Sequence, residues 1–330
     1  MAVPPAKRSR IEGTRPLDLI LPTHFKDVVR EYLRQDMPSF DIGAYVVGDA
    51  PCTAKLLAKT DGILSGVPFF NAVFEELGCT VEWLLQEGDT VGPKKVAESQ
   101  RAPAAKADAS KDGSYDSTDN HFKGRHHVAT VSGPVHRLLQ GERTALNILS
   151  RSSGIATETR ALVDVKLRKG WHGEIAATRK VTPGFRLVEK YSAIVGGGVP
   201  HRMNLSDMTM LKDNHVWACG GSIKAMVEKT RGVCGFSNKI EVECQSVEEA
   251  FEAAGAGAEV VMLDNFPPEE AKAAARKLKE RFPHGLTIEV SGGMTPEDFV
   301  DYFSEDVDVI SFGKLTHGYG VLDFSLKISR

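Results

Sequence analysis

Arg179, Lys180, His201, Arg202 and Lys212 fall within one span, GEIAATRKVTPGFRLVEKYSAIVGGGVPHRMNLSDMTMLKDNH, that runs from Gly173 to His215. Most of them stand where an apolar run gives way to a loop. Singly, each reads as an ordinary solvated base. As a set at strand ends, these cationic or potentially cationic groups are costly unless an anion lies between them, so they predict an anion site. Farther along, the apolar runs end at acids and glycines: Glu243, Asp264, Ser291-Gly292-Gly293 and Gly313. The carboxylates of Glu243 and Asp264 suit ribose hydroxyls, or a magnesium ion that itself binds phosphates. Salt bridging to the nearby lysines is the competing reading. Ser291-Gly292-Gly293 could cradle a phosphate, because glycines let backbone N–H groups approach an anion closely, and Gly313 could complete the cradle. A Gly-Gly turn alone is usually only a turn. A cationic pocket, two carboxylates and a phosphate cradle together match a sugar phosphate carrying pyrophosphate, plus a separate acidic co-substrate.

The elements that would bring these groups together are legible around them. Candidate strands are Glu174–Thr178, Met208–Leu211, Lys239–Glu243, Val260–Leu263, Leu286–Val290 and Val307–Ser311. Thr182-Pro183 supplies an N-cap and a first-turn proline for a helix carrying Leu187, Val188 and Tyr191, which Gly196-Gly197-Gly198 ends. Ser246 and Glu249 form a capping-box pattern, Pro267-Pro268 opens another helix and Thr295-Pro296 a third. Repeated βα units with apolar strands imply a parallel sheet covered by helices, here an α/β barrel, incompletely closed. An open doubly wound sheet is the alternative, but no GxGxxG follows any strand. In a barrel the strand ends form one rim, the usual place for an active site. Alternation in Lys239–Glu243 points Lys239, Glu241 and Glu243 inward and puts Ile240 and Val242 under the helices.

Residues 1 to about 16 read as a flexible leader and 17–140 as an α+β domain. Within it His24 to Leu33 has helical spacing, with Thr23 able to cap it. Ala54–Ala58 and Val81–Leu85 read as strands around a helix that ends near Gly78, and Gly88-Asp89 as a turn. Ala97 to His127 is poor in large apolar residues and cannot offset its ordering entropy, so it reads as a mobile polar insertion. Its His121, His126 and His127 suggest metal binding less than they suggest a polar loop. A linking helix over 141–172 starts at about Glu142, which puts Arg143 in a first turn where the helix dipole disfavours a cation. The barrel domain then fills 173–330.

A formal charge of -3 over 330 residues argues against a general nucleic-acid binder. No run of about eighteen apolar residues appears, and MAVPPAKRSR lacks the apolar core of a secretory signal. Its basic AKRSR resembles a weak nuclear address, though a solvated tail is the simpler reading. The five cysteines are odd in number and without CxxC spacing, which fits reduced thiols in a cytoplasmic chain rather than a zinc site or a disulfide framework.

The segments GERTALNILSRSSGIAT (141–157), ATRKVTPGFRLVEKYSAIVGGGVPHR (177–202), LKDNH (211–215), EVEC (241–244), LDNF (263–266) and SGG (291–293) closely resemble quinolinate phosphoribosyltransferase. The likeness runs from about residue 17 to the C-terminus, leaving out the leader and the insertion. It implies a type II phosphoribosyltransferase-like fold and conversion of quinolinate and phosphoribosyl pyrophosphate to nicotinate mononucleotide, pyrophosphate and carbon dioxide, with Mg²⁺, in NAD synthesis. It also implies a homodimer in which each site is completed by the partner's N-terminal region, with a hexamer, a trimer of dimers, as the larger alternative. Arg143 resembles the family arginine that reaches the neighbouring site. Arg179, His201 and Arg202 resemble the residues that grip the two quinolinate carboxylates, with Lys180 close by. Lys180 and Lys212 resemble the lysines serving pyrophosphate and substrate anions. Glu243 and Asp264 resemble the ribose and metal carboxylates, and Ser291, Gly292, Gly293 and Gly313 the 5′-phosphate loop. His317, in LTHG, resembles a further phosphate-side histidine. The insertion departs from the family pattern and bears on assembly or regulation more than on chemistry.

No protein nucleophile is needed if the ring nitrogen attacks, and neither GxSxG nor a Cys–His signature is present. Competing readings are a phosphoribosyltransferase for nicotinate or another ring acid, a barrel aldolase using Lys180 or Lys212 as a Schiff base, and a phosphometabolite-binding scaffold without turnover. Turnover of quinolinate against nicotinate, borohydride trapping and pyrophosphate release separate them.

Overall fold

Alternation of apolar residues along Pro51–Ala58 (β1) buries Ala54, Leu56 and Ala58 on one face, and a strand so buried must find partners for both of its edges. The computed structural model, which describes residues 16–93, 121–122, 125–318 and 320–329, supplies them. One edge pairs antiparallel with Arg125–Pro134, across a bulge at Leu56/Leu57, and the other with the C-terminal strand Phe324–Ile328. In chain order the strands are β1, β2 (Gly62–Ile63), β3 (Thr80–Trp83), β4 (Thr90–Val91), β5 (His121–Phe122) and β6 (Arg125–Pro134). β3 pairs with the far edge of β6, and β2 with β4. Helices α1 (Phe25–Asp36), α2 (Ile42–Val47) and α3 (Val67–Glu76) complete this part. Phe69, Phe70 and Phe74 of α3 are wholly buried; Phe69 meets Phe25 of α1 edge-on and Phe70 meets Trp83 of β3. Such aromatic pairs add about 1 kcal/mol each beyond area burial.

Two compact units result, one of 1–157 with 187–197 and 319–330, the other of 158–186 with 198–318. The C-terminal strand therefore belongs with the first sheet, and the barrel domain does not run to residue 330 as its sequence pattern predicts. α1 starts from His24 with no side-chain cap, so Thr23 does not take that position. The long helix α4 starts at Val135 and ends at Lys169. Arg143 thus lies well past its first turn, and the expected conflict with the dipole does not arise. The leader up to residue 15 and positions 97–120 and 123–124 of the insertion lie outside the described residues. His126 and His127 are strand residues of β6: Gly92 N–H donates to His126 Nδ1 at 3.2 Å, and His127 Nε2 sits 3.0 Å from Ala129 O.

The second unit contains six parallel strands: β7 (Glu174–Ala176), β8 (Thr209–Leu211), β9 (Ile240–Cys244), β10 (Val260–Asp264), β11 (Thr287–Ser291) and β12 (Val309–Ser311). Their order is β7-β12-β11-β10-β9-β8, with parallel register at each step. The path ends at β7 and β8 without joining them, the incompletely closed α/β barrel expected. The helices between or after these strands in the chain are α5 (Arg186–Val195), which from Leu187 on belongs to the first unit, and α6 (Asp213–Ala218), α7 (Ile223–Cys234), α8 (Val247–Gly255) and α9 (Pro268–Arg281) of the second. The core of this unit is aliphatic, with Ile240, Val242, Val261, Leu263, Ile288, Val290 and Ile310 from the strands against alanines such as Ala250, Ala271 and Ala275 from α8 and α9. Small helix residues allow close approach to the sheet.

Local chemistry sets the helix starts. Ser246 Oγ accepts the Glu249 N–H at 3.2 Å, but the Glu249 carboxylate takes the N–H of Gln245, one residue ahead of the cap. Thr182-Pro183 forms a turn before α5, closed by Phe185 N–H on Thr182 O at 3.0 Å, rather than its cap. Thr295-Pro296 leads into a 3-10 turn at Phe299–Tyr302, not an α-helix. Asp298 Oδ1 takes the Thr295 N–H at 2.7 Å, a local bond that competes with helical pairing.

Candidate active site

Parallel strands send their C-terminal ends the same way, so β7 to β12 present their following residues at one mouth. β7 leads through Thr178 to Arg179 and Lys180. Lys180 N–H donates to Thr178 Oγ1 at 3.1 Å, and Thr316 Oγ1 donates to Lys180 O at 2.7 Å, which ties the loops after β7 and β12. Gly313 packs under that crossing, where a Cβ would stand 2.8 Å from Cδ of the flexible Lys180 side chain. The extended segment after α5 lies along β7, with Ala177 N–H on Val199 O and Val199 N–H on Ile175 O, both at 2.9 Å. It delivers His201 and Arg202 to the same mouth.

There the Arg202 guanidinium donates to Met208 O at 3.3 Å. Burial, and then the like charge of Arg179, hold its pKa below the ordinary arginine value. Arg179 keeps a buried Nε with no hydrogen-bond partner among the described residues. Two guanidiniums held near one another, one with an orphaned donor, favour an anion between them.

β8 delivers Lys212, whose backbone N–H is held by His215 Nδ1 at 3.0 Å and whose ammonium pairs with Glu243 at the end of β9. The salt bridge weighed as the competing reading of these two residues is therefore present. Asp264, ending β10, accepts on one oxygen from Asn265 Nδ2 at 2.6 Å and from Gln245 Nε2 at 3.2 Å. Asn265 adopts φ 60° and donates its N–H to Ser291 O at 2.9 Å. A Cβ on Gly292 would stand 2.3 Å from Asn265 Oδ1, and Gly292 has φ 99°, so this turn needs glycine on two counts. Gly293 follows with φ 58°.

Below the rim lies a group the sequence only half disclosed. His201, Glu241 and Glu289 bring their ligand-type atoms within 4.8 Å of one another. Glu241 is wholly buried, and neither carboxylate oxygen has a hydrogen-bond partner among the described residues. Burial, then Glu289, push its carboxyl up to about 9. Alternation had placed Glu241 inward. The same rule applied to Thr287, Glu289 and Ser291 of β11 would have found Glu289.

Arg179, Lys180, His201, Arg202, Lys212, Glu243, Asp264, Ser291, Gly292, Gly293 and Gly313 thus all follow or end barrel strands, or the segment paired to β7. His317 is exposed in the segment after β12. Arg143 is exposed on α4 and belongs to the first unit.

The profile described as quinolinate phosphoribosyl transferase, C-terminal domain, matches residues 155–327, and the N-terminal domain of the same family matches 39–107. The chain is 44% identical over 310 residues to the nicotinate-nucleotide pyrophosphorylase [carboxylating] of Rattus norvegicus, with 94% of this chain and 93% of that one covered. The Homo sapiens protein of that name is similar to the same extent. Among solved structures, the nicotinate-nucleotide pyrophosphorylase from Francisella tularensis superposes with TM-score 0.75 at 30% identity, covering 96% of this chain and all, 100%, of that one. Two matching domain models and a relative 44% identical over nearly the whole chain show that the chain belongs to the quinolinate phosphoribosyltransferase family.

Proposed function

We infer that the chain transfers the phosphoribosyl group of phosphoribosyl pyrophosphate to the ring nitrogen of quinolinate, giving nicotinate mononucleotide, pyrophosphate and carbon dioxide, as a pentosyltransferase of NAD biosynthesis. The observation that carries this reading is the pair Arg179 and Arg202 at the mouth, with a buried guanidinium N–H left for an anion. Arg179 and Arg202, with His201 beside them and Lys180 close by, hold the two ring carboxylates. Glu243 and Asp264 hold the ribose hydroxyls, and Ser291, Gly292, Gly293 and Gly313 take the 5′-phosphate, with His317 on the same side.

Departure of pyrophosphate builds positive charge on the sugar and negative charge on the leaving group. Lys180 and Lys212 stabilise the leaving group from fixed positions, where preorganised charge acts most strongly. The quinolinate nitrogen is the nucleophile, and the arginine cage aligns it with the sugar carbon. Ribosylation leaves the ring nitrogen cationic, so loss of the adjacent carboxylate places the carbanion beside positive charge, and the protein need add no electron sink.

Mg²⁺ is part of the same proposal. Glu243 and Asp264 already spend oxygen atoms on Lys212, Asn265 and Gln245. Such a donor set fits a metal held chiefly by substrate phosphates and water, with these carboxylates as the protein's share. When bound, the metal would neutralise charge on the pyrophosphate.

A homodimer, extending to a trimer of dimers, would let Arg143 of one copy serve the site of another. Mixing Arg143→Ala with Lys212→Ala tests this. Hybrid oligomers should regain part of the activity that neither variant has alone; no recovery in confirmed hybrids contradicts a shared site. A cytoplasmic setting is proposed from cysteines that are few and unbridged; among the described residues no helix is long and apolar enough to cross a membrane. The deciding assay supplies phosphoribosyl pyrophosphate with either quinolinate or nicotinate and measures pyrophosphate and carbon dioxide. Equal release of both products with quinolinate, and neither with nicotinate, supports the reading; turnover of nicotinate instead overturns it.

A further inference from the structure

We propose that Glu289 is a positioning residue of the carboxylate cage, acting through the His201 imidazole to fix the direction of Arg202. This rests on the reading of the mouth as the quinolinate site. His201 has only 8% of its side chain exposed, and both ring nitrogens are engaged within the protein. Nδ1 accepts the backbone N–H of Arg202 at 2.7 Å, so that nitrogen carries no proton. The ring proton is then on Nε2, which donates to Glu289 at 3.0 Å to Oε2 and 3.3 Å to Oε1. Glu241, at 3.9 Å from the same nitrogen, is outside hydrogen-bond reach.

The consequences follow from the inventory of the ring. A neutral imidazole with its one N–H on Glu289 and its one lone pair on Arg202 has no donor left for a substrate carboxylate. Its effect on the cage passes through Arg202, whose backbone it holds and whose guanidinium rests on Met208 O. The backbone agrees. His201 has φ 54°, a left-handed conformation that L-residues adopt only when their surroundings hold them there. The bond to Glu289, which is 2% exposed, supplies that hold. Removing the acid leaves a buried Nε2–H without its acceptor and frees the His201–Arg202 turn to relax.

The test uses the full chain with Glu289→Ala and Glu289→Gln, steady-state kinetics in each substrate, and ¹⁵N NMR of the histidine rings, the His201 signals being assigned with His201→Asn. Glu289→Ala should raise KM for quinolinate by about tenfold or more, while KM for phosphoribosyl pyrophosphate stays within about twofold. Glu289→Gln, whose amide oxygen still accepts from Nε2–H, should restore most of the loss. The His201 ring should carry its proton on Nε2, before and after quinolinate is added. An unchanged KM for quinolinate in Glu289→Ala would overturn the proposal. So would a His201 ring that becomes doubly protonated when quinolinate binds, because the ring would then be a direct ligand. Should Glu289→Ala fail to fold, wild-type NMR decides, and a ring proton on Nδ1 contradicts the brace. Absence of quinolinate turnover by the wild type would remove the functional reading instead, and the tautomer measured without substrate would still judge the His201–Glu289 contact.

Discussion

At the N-terminal ends of the barrel strands, Arg231 donates to Gly235 O at 2.9 Å, Asn238 O at 3.2 Å and Gly257 O at 3.3 Å, and pairs with Glu259. Glu259 uses its other oxygen for the Ile240 N–H at 2.8 Å. Lys279 reaches Leu286 O and Asp308, both at 2.7 Å, and Asp308 also takes the Ile288 N–H. The C-terminal ends are arranged differently. Among the described residues Arg179 keeps an orphaned Nε and Ser311, at the end of β12, an orphaned Oγ, while His201 and Asn265 are held at positive φ. Same strands, same unit, opposite economy of hydrogen bonds: the foot is satisfied by the protein itself, while the mouth holds polar groups that the protein alone does not satisfy. Unspent donors and local strain gather where a ligand is to arrive, and the satisfied end keeps the strands in register.

Substitutions at the two ends should therefore separate activity from stability. The largest effect is expected from Lys212→Ala, which removes a cation from the developing pyrophosphate and should lower kcat/KM by about 100-fold or more. Its melting temperature should stay close to wild type, because the pair it forms with Glu243 leaves the lysine 41% exposed. A large fall in melting temperature with little change in kcat/KM would reverse the assignment of the two ends. Arg231→Ala at the foot should do the opposite. Loss of several hydrogen bonds to loop carbonyls should cost about 1–2 kcal/mol in a denaturant titration, with kcat/KM for quinolinate within about twofold of wild type.

The smallest effect is one of pH. Glu241 is pushed up to about 9 by burial and then by Glu289. Between the ordinary glutamic range and that value, the native state binds a proton that the unfolded chain has released. Stability from this group is thus full below the unfolded pKa and is lost as pH rises through about 9. Glu241→Gln should flatten that decline, followed as the denaturant midpoint on the alkaline side of neutrality. Parallel declines in variant and wild type would show that Glu241 is not the group responsible.

How legible was this in the chain itself? The barrel strands were, because buried strands leave apolar runs such as VVMLD, or alternating ones such as TIEVS, that end in polar rim residues. The rim set was legible for the same reason: Arg179, Lys212, Asp264 and Ser291 stand where those runs stop. Local pattern did not place the C-terminal strand Phe324–Ile328, since pairing with β1 joins residues far apart in sequence. The turn at Thr295 looked like a helix start, because a cap residue before proline reads the same whether the backbone then forms a helix or closes on Asp298. The Lys212–Glu243 pair and the His201–Glu289 contact depend on which strands are neighbours, and periodicity within one strand carries no such information.

The sharpest single test is equilibrium binding of quinolinate and of nicotinate to wild type and to Arg202→Ala, measured under one set of conditions. If the mouth is a cage for two carboxylates, wild type should prefer the diacid by about tenfold or more, and Arg202→Ala should lose most of that preference. Equal preference in both proteins would contradict the cage.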